Sequence, residues 1–175
     1  MRRFLSKVLN PRCVYINLYN SISEIPRYFK ITNYLNEKQN FIEFNNFKKN
    51  KNFFYKIRES FLSIFISSYE KDIISILDIG GGFNNVYDFI TNSSTKKIDV
   101  TVLETQMIVD LMKPETKDIQ NLDYIEDINN THKNFDIIYF GTSFQYFVDL
   151  EEFLSKIFKL KAKYIVIADT IFLEK

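Results

Sequence analysis

The sequence contains one cysteine, one histidine and no tryptophan among 175 residues. Because Cys13 stands alone, no disulfide can form within the chain, and a zinc site built on several thiolates is excluded. With His132 as the sole histidine, a metal site would consist almost wholly of carboxylates, and we predict no metal site. The length is that of one domain with a sizeable core.

Long apolar runs are also absent from the sequence. No stretch of about 18 apolar residues occurs, and the basic N-terminal stretch M-R-R-F-L-S-K reaches Lys7 too soon for the apolar core of a signal peptide. We therefore expect a cytoplasmic protein without stable membrane insertion.

The net charge of +1 conceals two halves of opposite sign. Residues 1–72 carry 13 Lys or Arg against 6 Asp or Glu, a balance of +7, whereas residues 73–175 carry 10 against 16, a balance of −6. An acidic half suits a cationic ligand. The basic half could meet an anionic substrate or a membrane surface, and the favoured interpretation is a helical cap with solvated lysines. The basic run K-K-N-K at 48–51 is too short to indicate nucleic acid, and we expect no such partner.

The most informative stretch runs from Ile73 to Phe83 and reads I-I-S-I-L-D-I-G-G-G-F. An apolar run that ends in clustered glycines predicts a buried parallel strand followed by a tight turn. Gly80, Gly81 and Gly82 remove the side chains that would keep a ligand from the backbone, and they tolerate positive φ angles. Asp78 lies at the carboxyl end of the strand. The stretch is typical of a loop that binds a nucleotide-like cofactor.

Strand and helix patterns alternate after the glycines. Further strands are expected over residues 98–103, 121–125, 135–140 and 164–168. This alternation predicts an α/β fold with a parallel five-stranded sheet and right-handed crossovers, which binds ligands at the carboxyl ends of its strands. Glu104 ends the second strand about 26 positions after Asp78, where a carboxylate can accept hydrogen bonds from two vicinal hydroxyl groups.

Three helices have clear sequence patterns. We expect one over 106–113, ending before Pro114, and one that Asp149 caps, with Glu152 three positions later. The predicted buried stripe of the helix that Asp149 caps comprises Leu150, Phe153, Leu154, Ile157 and Phe158. A helix over 52–69 is expected to bury Phe54, Ile57, Phe61, Ile64 and Phe65. Residues 1–52 form the predicted helical cap, and residues 53–175 form the predicted sheet domain.

The dinucleotide fingerprint G-x-G-x-x-G is incomplete, because Asn85 stands where its third glycine belongs. Instead, L-D-I-G-G-G-F, V-L-E, F-D-I-I-Y-F-G-T-S-F-Q-Y-F-V-D and K-Y-I-V-I-A-D-T resemble class I S-adenosylmethionine (SAM)-dependent methyltransferases. The resemblance covers roughly residues 70–172. It is to a bacterial group of methyltransferases associated with surface-polysaccharide genes. The resemblance implies a Rossmann-like three-layer sandwich, SAM as cofactor, and methyl transfer to a small acceptor such as a sugar or polysaccharide precursor.

The resemblance also assigns roles to residues. The glycine loop would wrap the methionine and ribose parts of SAM, with Asp78 close to it and Ser143 in the loop above. Glu126 or Asp127 would approach the adenine amino group, and the sequence does not decide between them. The cofactor-binding set is thus Asp78, Gly80, Gly81, Gly82, Glu104, Glu126, Asp127 and Ser143.

Methyl transfer is an in-line displacement that needs alignment, and a hydroxyl acceptor also needs a base. Gln145 and Tyr146 are candidate orienting groups, and Asp169 is a candidate base. His132 lies in a polar loop and is expected at the surface. We name no further catalytic residue.

Related enzymes usually continue after the fifth strand with a helix and an antiparallel hairpin, whereas this sequence ends at Lys175. We therefore expect a sheet truncated after its fifth strand, with an exposed edge that favours a homodimer or instability. A non-catalytic interaction protein is one alternative function. A nucleotide-binding enzyme is a second, less favoured because no G-K-[ST] phosphate loop occurs.

Overall fold

The computed structural model describes residues 41–42, 44–46, 57–147 and 149–168. All of them belong to one compact unit, Phe41–Lys175. The predicted cap over residues 1–52 lies almost entirely outside the described residues, so its boundary stays a prediction. None of the helices in the described ranges has the length and apolar character needed to cross a membrane.

The described chain forms a five-stranded sheet in which every neighbouring pair is parallel. The strand order is β3-β2-β1-β4-β5, which confirms the predicted α/β sheet. The strands are β1 (Ile73–Ile79), β2 (Lys97–Leu103), β3 (Leu122–Ile125), β4 (Ile137–Phe140) and β5 (Tyr164–Ile167).

Helices cover both faces of this sheet. They are α1 (Ile57–Ser67), α2 (Tyr87–Ser93), α3 (Gln106–Thr116) and α4 (Leu150–Lys159), with two 3-10 turns at Ile128–Asn130 and Phe144–Tyr146. Right-handed crossovers place α2 and α3 on one face, since the chain moves outward from β1 to β3, and α4 on the other. The face under α4 is built from buried apolar side chains, namely Leu77, Ile79, Ile138, Phe140 and Ile157.

One carboxylate ties the amino ends of β1 and β4 together. Asp136, directly before β4, accepts hydrogen bonds from the Lys71 ammonium group and from the Ser75 N–H group, the latter at 3.1 Å. Burial raises the pKa of Asp136, but the hydrogen bonds from Lys71 and Ser75 outweigh it, so the pKa lies below its usual value. Asp136 is therefore ionised and bonded at neutral pH.

The predicted buried stripe of α1 is wrong at two of its positions; Phe65 is half-buried, and Phe54 and the side chain of Ile57 lie outside the described residues. Phe61 and Ile64 are 62% and 69% exposed, whereas Leu62 and Ile66 are fully buried. Apolar residues surround most of this helix, so several stripes have helical spacing and periodicity cannot select one. A contact of 2.7 Å between the Ser63 and Ser93 hydroxyl groups joins the buried side of α1 to α2.

Two predictions about the other helices also need correction. Phe158 is 61% exposed, because at 100° per residue it lies roughly 90° from the centre of the α4 stripe. The helix α3 does not end before Pro114 but runs through it to Thr116. Proline in the last turn removes only one helical N–H donor, and the Thr116 hydroxyl donates to the Met112 carbonyl at 2.9 Å.

Candidate cofactor site at the carboxyl edge of the sheet

The site lies where the strand order reverses, between β1 and β4, and the loops after these two strands meet there. Ser143, 5% exposed, follows β4 and donates its hydroxyl hydrogen to the Ile79 carbonyl group. A Cβ atom on Gly80 would lie 3.0 Å from the Ser143 hydroxyl oxygen, and Gly80 has a φ of +71°. Glycine at this position therefore allows the two loops to approach each other closely, because a side chain would collide with Ser143.

Asp78 lies beneath the glycine loop. It is 1% exposed, and its Oδ2 accepts the N–H group of Val86 at 3.1 Å. A Cβ atom on Gly81 would lie 2.7 Å from the Asp78 Cγ atom. Asn85 Oδ1 accepts the N–H group of Tyr87, the first residue of α2, at 2.8 Å. By accepting these two backbone N–H groups, Asp78 and Asn85 hold the segment that connects the glycine loop to α2.

Glu104 joins the end of β2 to the same loop. Its side chain is buried, Oε1 accepts the Gly82 N–H group at 2.9 Å, and Oε2 accepts the Thr105 N–H group at 2.9 Å. Gly82 has a φ of +62°, and the nearest atom to a Cβ placed there is Glu104 Oε1, at 3.9 Å. In contrast to Gly80 and Gly81, no atom of the described residues other than its chain neighbours lies closer than 3.9 Å to a Cβ placed on Gly82, so among these residues there is space above Gly82, directly beside a carboxylate.

Tyr124 completes the support of the loop, and the sequence analysis did not identify it. The side chain is fully buried, its hydroxyl donates to the Gly82 carbonyl at 3.0 Å, and it accepts from Asn85 Nδ2 at 2.7 Å. Burial raises its pKa strongly, so the hydroxyl stays a donor. Strand register could have indicated it, because Tyr124 pairs with Val102, which pairs with Asp78.

Thr105 adds a hydroxyl group beside Glu104. Its Oγ1 atom is buried and has no hydrogen-bond partner among the described residues, although Thr105 directly precedes α3, where threonine often caps the helix. A buried hydroxyl without a partner is costly, and a ligand is one source of that partner. The carboxylate of Glu104, the hydroxyl of Thr105 and the space above Gly82 together suit a ligand that carries hydroxyl groups.

The loop differs from a phosphate cradle in where its N–H groups point. Phosphate-binding glycine loops direct backbone N–H groups at the anion. Here the N–H groups of Gly82 and Val86 donate to carboxylates, those of Glu104 and Asp78. The floor of the site is therefore acidic, which disfavours a pyrophosphate and favours a ligand with a positive charge.

The other predicted site residues lie at the rim or outside the described residues. Asp127 is exposed, and hydrogen bonds from the backbone and side chain of Asn129 lower its pKa. Glu126 is also exposed and accepts from the Asn130 side chain at 2.9 Å. Tyr146 is 45% exposed, and its N–H group donates to the Ser143 carbonyl at 2.9 Å. The side chain of Gln145 and the whole of Asp169 lie outside the described residues.

No protein-family model matches the sequence, and a search of curated proteins finds no match. Solved structures do match. A candidate SAM-dependent methyltransferase from Methanococcus maripaludis has a TM-score of 0.53 at 14% identity, covering 70% of this chain and 57% of that chain. The plantazolicin methyltransferase BpumL, solved with SAH, has a TM-score of 0.51 at 21% identity, covering 73% of this chain and 50% of that chain.

The plantazolicin methyltransferase BamL, solved with SAH and a triazolic desmethylPZN analog, gives a TM-score of 0.51 at 20% identity, covering 73% of this chain and 49% of that chain. The present chain thus matches between 49% and 57% of the length of these three solved chains. Similarity at such identities shows the fold. This chain has the Rossmann-like α/β fold of class I methyltransferases.

Proposed function

We propose that this protein binds SAM and transfers its methyl group to a small-molecule acceptor. One observation carries the proposal: the N–H groups of Gly82 and Val86 are bonded to the carboxylates of Glu104 and Asp78, at 2.9 Å and 3.1 Å. An acidic floor repels a pyrophosphate and attracts the positive sulfonium and amino groups of SAM. The SAH complexes of the plantazolicin methyltransferases, which share the fold, support the same ligand class.

Each side chain around the loop has a proposed role. Glu104 is the proposed acceptor for the ribose hydroxyl groups, because its carboxylate lies at the end of β2 and is bonded to the Gly82 and Thr105 N–H groups. The Thr105 hydroxyl lies next to it, and Gly82 leaves the space for the sugar. Asp78 holds the loop from below, and Glu126 or Asp127 is the proposed partner of the adenine amino group.

SAM supplies an activated methyl group, and the chain must align the acceptor with it and exclude water. We propose Gln145 and Tyr146 as the groups that orient the acceptor and Asp169 as the base that takes its proton. Tyr146 and Ser143 follow β4 in the same loop, at the edge where Gly80 lies. The proposed acceptor class is a sugar or polysaccharide precursor in the cytoplasm, and its support is the sequence resemblance of residues 70–172.

Thermal melting with SAM, SAH and NAD tests the binding proposal. A ligand at a hundred times its dissociation constant stabilises by about 2.7 kcal/mol, or roughly 5–10 °C for a domain of this size. SAM and SAH should produce this shift, and NAD should not. Glu104→Gln keeps the shape of the side chain but removes its charge and replaces one of the two oxygens that accept the Gly82 and Thr105 N–H groups by an NH2 group. We expect a loss of SAH affinity of about tenfold or more.

Glu70→Gln makes the same chemical change on an exposed side chain at the opposite edge of the sheet and should leave SAH affinity unchanged. A melting shift with NAD alone would overturn the proposal in favour of a nucleotide enzyme. Transfer of a labelled methyl group to sugar precursors tests the acceptor separately. Binding of SAH without transfer to any sugar would leave the cofactor proposal intact and remove the proposed acceptor class.

A further inference from the structure

The segment around the connection from α4 to β5 is strongly basic. Residues 155–168 contain four lysines and no acidic residue. One of these lysines pairs with Glu152 at 2.7 Å. The other three, Lys159, Lys161 and Lys163, lie at the end of α4 and in the connection that follows, and all three are exposed. Positive charge is therefore concentrated at one corner of the sheet, beside the amino end of β5.

The other connections at this edge of the sheet carry little net charge. The connection before β3 contains Lys117 and Asp118, and the connection before β4 contains Lys133 and Asp136. Before β1, Lys71 stands between two acidic residues and is bonded to Asp136. The connection before β2 contributes a single lysine. Among the described connections, the one before β5 therefore has the largest positive charge.

Two exposed aromatic side chains lie among the three lysines. Phe158 is 61% exposed and Tyr164 is 38% exposed. We call Phe158, Lys159, Lys161, Lys163 and Tyr164 the α4–β5 surface. The dipole of α4 accounts for a lysine in the last turn of the helix. It does not account for the two lysines beyond the helix or for the two exposed rings, so this combination calls for another explanation.

The backbone and the contacts of the surface support a function for its charges. Lys161 follows the C-cap residue Leu160 and has a φ of +52°, in the left-handed region where a chain leaving a helix usually has glycine. A lysine is strained there, and strained residues concentrate at functional sites. The Lys163 Nζ atom lies 5.1 Å and 5.5 Å from the ring centroids of Tyr69 and Tyr164, and these cation–π contacts orient it.

From these observations we propose that the α4–β5 surface docks on an anionic lipid surface. Each lysine near such a surface strengthens binding by about fivefold. An exposed phenylalanine adds apolar area that enters the boundary between headgroups and acyl chains, and tyrosine suits the headgroup level. Stable attachment of a peripheral protein needs two such signals together, and this surface has both charge and apolar rings.

Nucleic acid and acidic peptides suit this surface less well than lipid headgroups. Paired recognition of a phosphate or carboxylate group uses the planar fork of arginine, and the α4–β5 surface contains only lysines. Tight binding to nucleic acid typically neutralises about six to ten phosphates. The three lysines are too few for this, and the neighbouring connections add an acidic residue for each lysine before β3 and β4.

Docking through this surface leaves the proposed cofactor site accessible. The α4–β5 surface lies at the amino end of β5, whereas Glu104 and the glycine loop lie at the carboxyl edge of the same sheet. The two proposals rest on different residues. A vesicle assay without cofactor therefore tests the docking proposal, and its failure would say nothing about SAM binding.

Flotation of the full chain with lipid vesicles is the first test. Vesicles of phosphatidylcholine and phosphatidylglycerol in equal parts should bind the protein, and vesicles of phosphatidylcholine alone should not. Salt at about 1 M, where the Debye length is about 3 Å, should release most of the bound protein. A native chain that does not bind the mixed vesicles at low salt would overturn the proposal.

Removal of two charges tests the location of the surface. Lys159→Gln combined with Lys161→Gln should lower the partition coefficient on mixed vesicles by about twenty-fivefold. Lys113→Gln combined with Lys117→Gln is the matched control, because it removes the same charge from exposed positions at the end of α3. The control should stay within about twofold of the native value, well under the effect of one docked lysine. Equal losses in both variants would indicate general charge attraction and overturn the proposal.

Lys161→Gly separates binding from stability. Glycine adopts a positive φ without strain, so the variant should have a higher melting temperature than the native chain. Its partition coefficient should nevertheless fall by about fivefold, because one charge is lost. Opposite changes in the two measurements cannot result from unfolding. A higher melting temperature with unchanged vesicle binding would overturn the role of this lysine and of the surface.

Phe158→Ser tests the apolar contribution and distinguishes the lipid from a polynucleotide. The side chain is 61% exposed, so the fold should stay intact, and vesicle binding should fall by about tenfold. An oligothymidine strand serves as the competing anion. If the chain binds this strand more tightly than mixed vesicles and Phe158→Ser leaves vesicle binding unchanged, the partner is a nucleic acid and the lipid proposal is wrong.

Discussion

Tyr124→Phe removes one oxygen atom from the centre of the proposed site. The hydroxyl of Tyr124 donates to the Gly82 carbonyl at 3.0 Å and accepts from Asn85 Nδ2 at 2.7 Å. Phenylalanine fills the same volume, so the packing of β3 stays intact and only these two hydrogen bonds are lost. Because burial raises the pKa of Tyr124, the hydroxyl is protonated at any working pH, and the effect should not depend on pH.

The magnitude follows from these two contacts. A hydrogen bond contributes about 0.5–1.5 kcal/mol net, so the variant should lose about 1–3 kcal/mol of unfolding free energy. The effect on binding comes from the freedom that the loop regains. Ordering the backbone of one residue costs about 1–2 kcal/mol. Because Gly82 of the variant must be ordered when SAH binds, SAH affinity should fall roughly fivefold to thirtyfold.

Urea denaturation and calorimetric titration with SAH measure the two effects. Tyr69→Phe is the matched control, because Tyr69 is also buried but lies near the amino ends of the strands, with its hydroxyl 3.4 Å from Asp136. It should lower stability slightly and leave SAH affinity unchanged. If Tyr124→Phe loses stability but binds SAH within about twofold of the native affinity, well under the expected 1 kcal/mol, the loop does not need this support, and our reasoning is wrong.

Three further predictions concern the other glycines of the loop, Asp136 and Asp149. Gly82→Ala should lower the unfolding free energy by only about 1 kcal/mol, because Gly82 has a positive φ, yet it should weaken SAH binding. Gly81→Ala should lower the unfolding free energy by about 2–3 kcal/mol, because its Cβ atom would collide with Asp78. Urea denaturation and calorimetric titration with SAH measure the two effects for both variants. Asp136→Asn should cost about 1–2 kcal/mol at pH 7. Since the folded-state pKa of Asp136 is lowered, this difference should vanish as the pH falls through that pKa, which acid titration of stability can show. Asp149→Ala removes the cap on the Glu152 N–H group and should lower the melting point by an amount that corresponds to about 1 kcal/mol.

The sheet could be predicted because each of its signals is local. The apolar run before Gly80 and the alternation over 98–103 each require only a few neighbouring residues to read. Alternating strands and helices then leave few topologies, since crossovers are right-handed. The placement of Glu104 beside Gly82 followed from this topology, because the carboxyl ends of parallel strands share one edge.

The face of α1 could not be predicted in the same way. Its apolar residues surround the helix, and the choice of Leu62 and Ile66 over Phe61 and Ile64 depends on contacts with distant elements, such as that of Ser63 with Ser93. Tyr124 was missed for a related reason. Its sequence neighbours suggest only a strand residue, and its role depends on the register that places it against Val102 and Asp78.

The acidic residues of the loop have two functions that cannot be separated by removing them. Asp78 and Glu104 each accept a backbone N–H group of the loop, so their loss would alter the fold of the site together with its charge. The variants Gly82→Ala and Tyr124→Phe separate these functions. Gly82→Ala leaves the two carboxylates intact and places a methyl group above them. Tyr124→Phe leaves both the charge and the space intact and removes the hydrogen bonds that hold the loop. If both variants weaken SAH while neither changes the discrimination between SAH and NAD, then the carboxylates alone select the ligand, as the direction of the loop N–H groups requires.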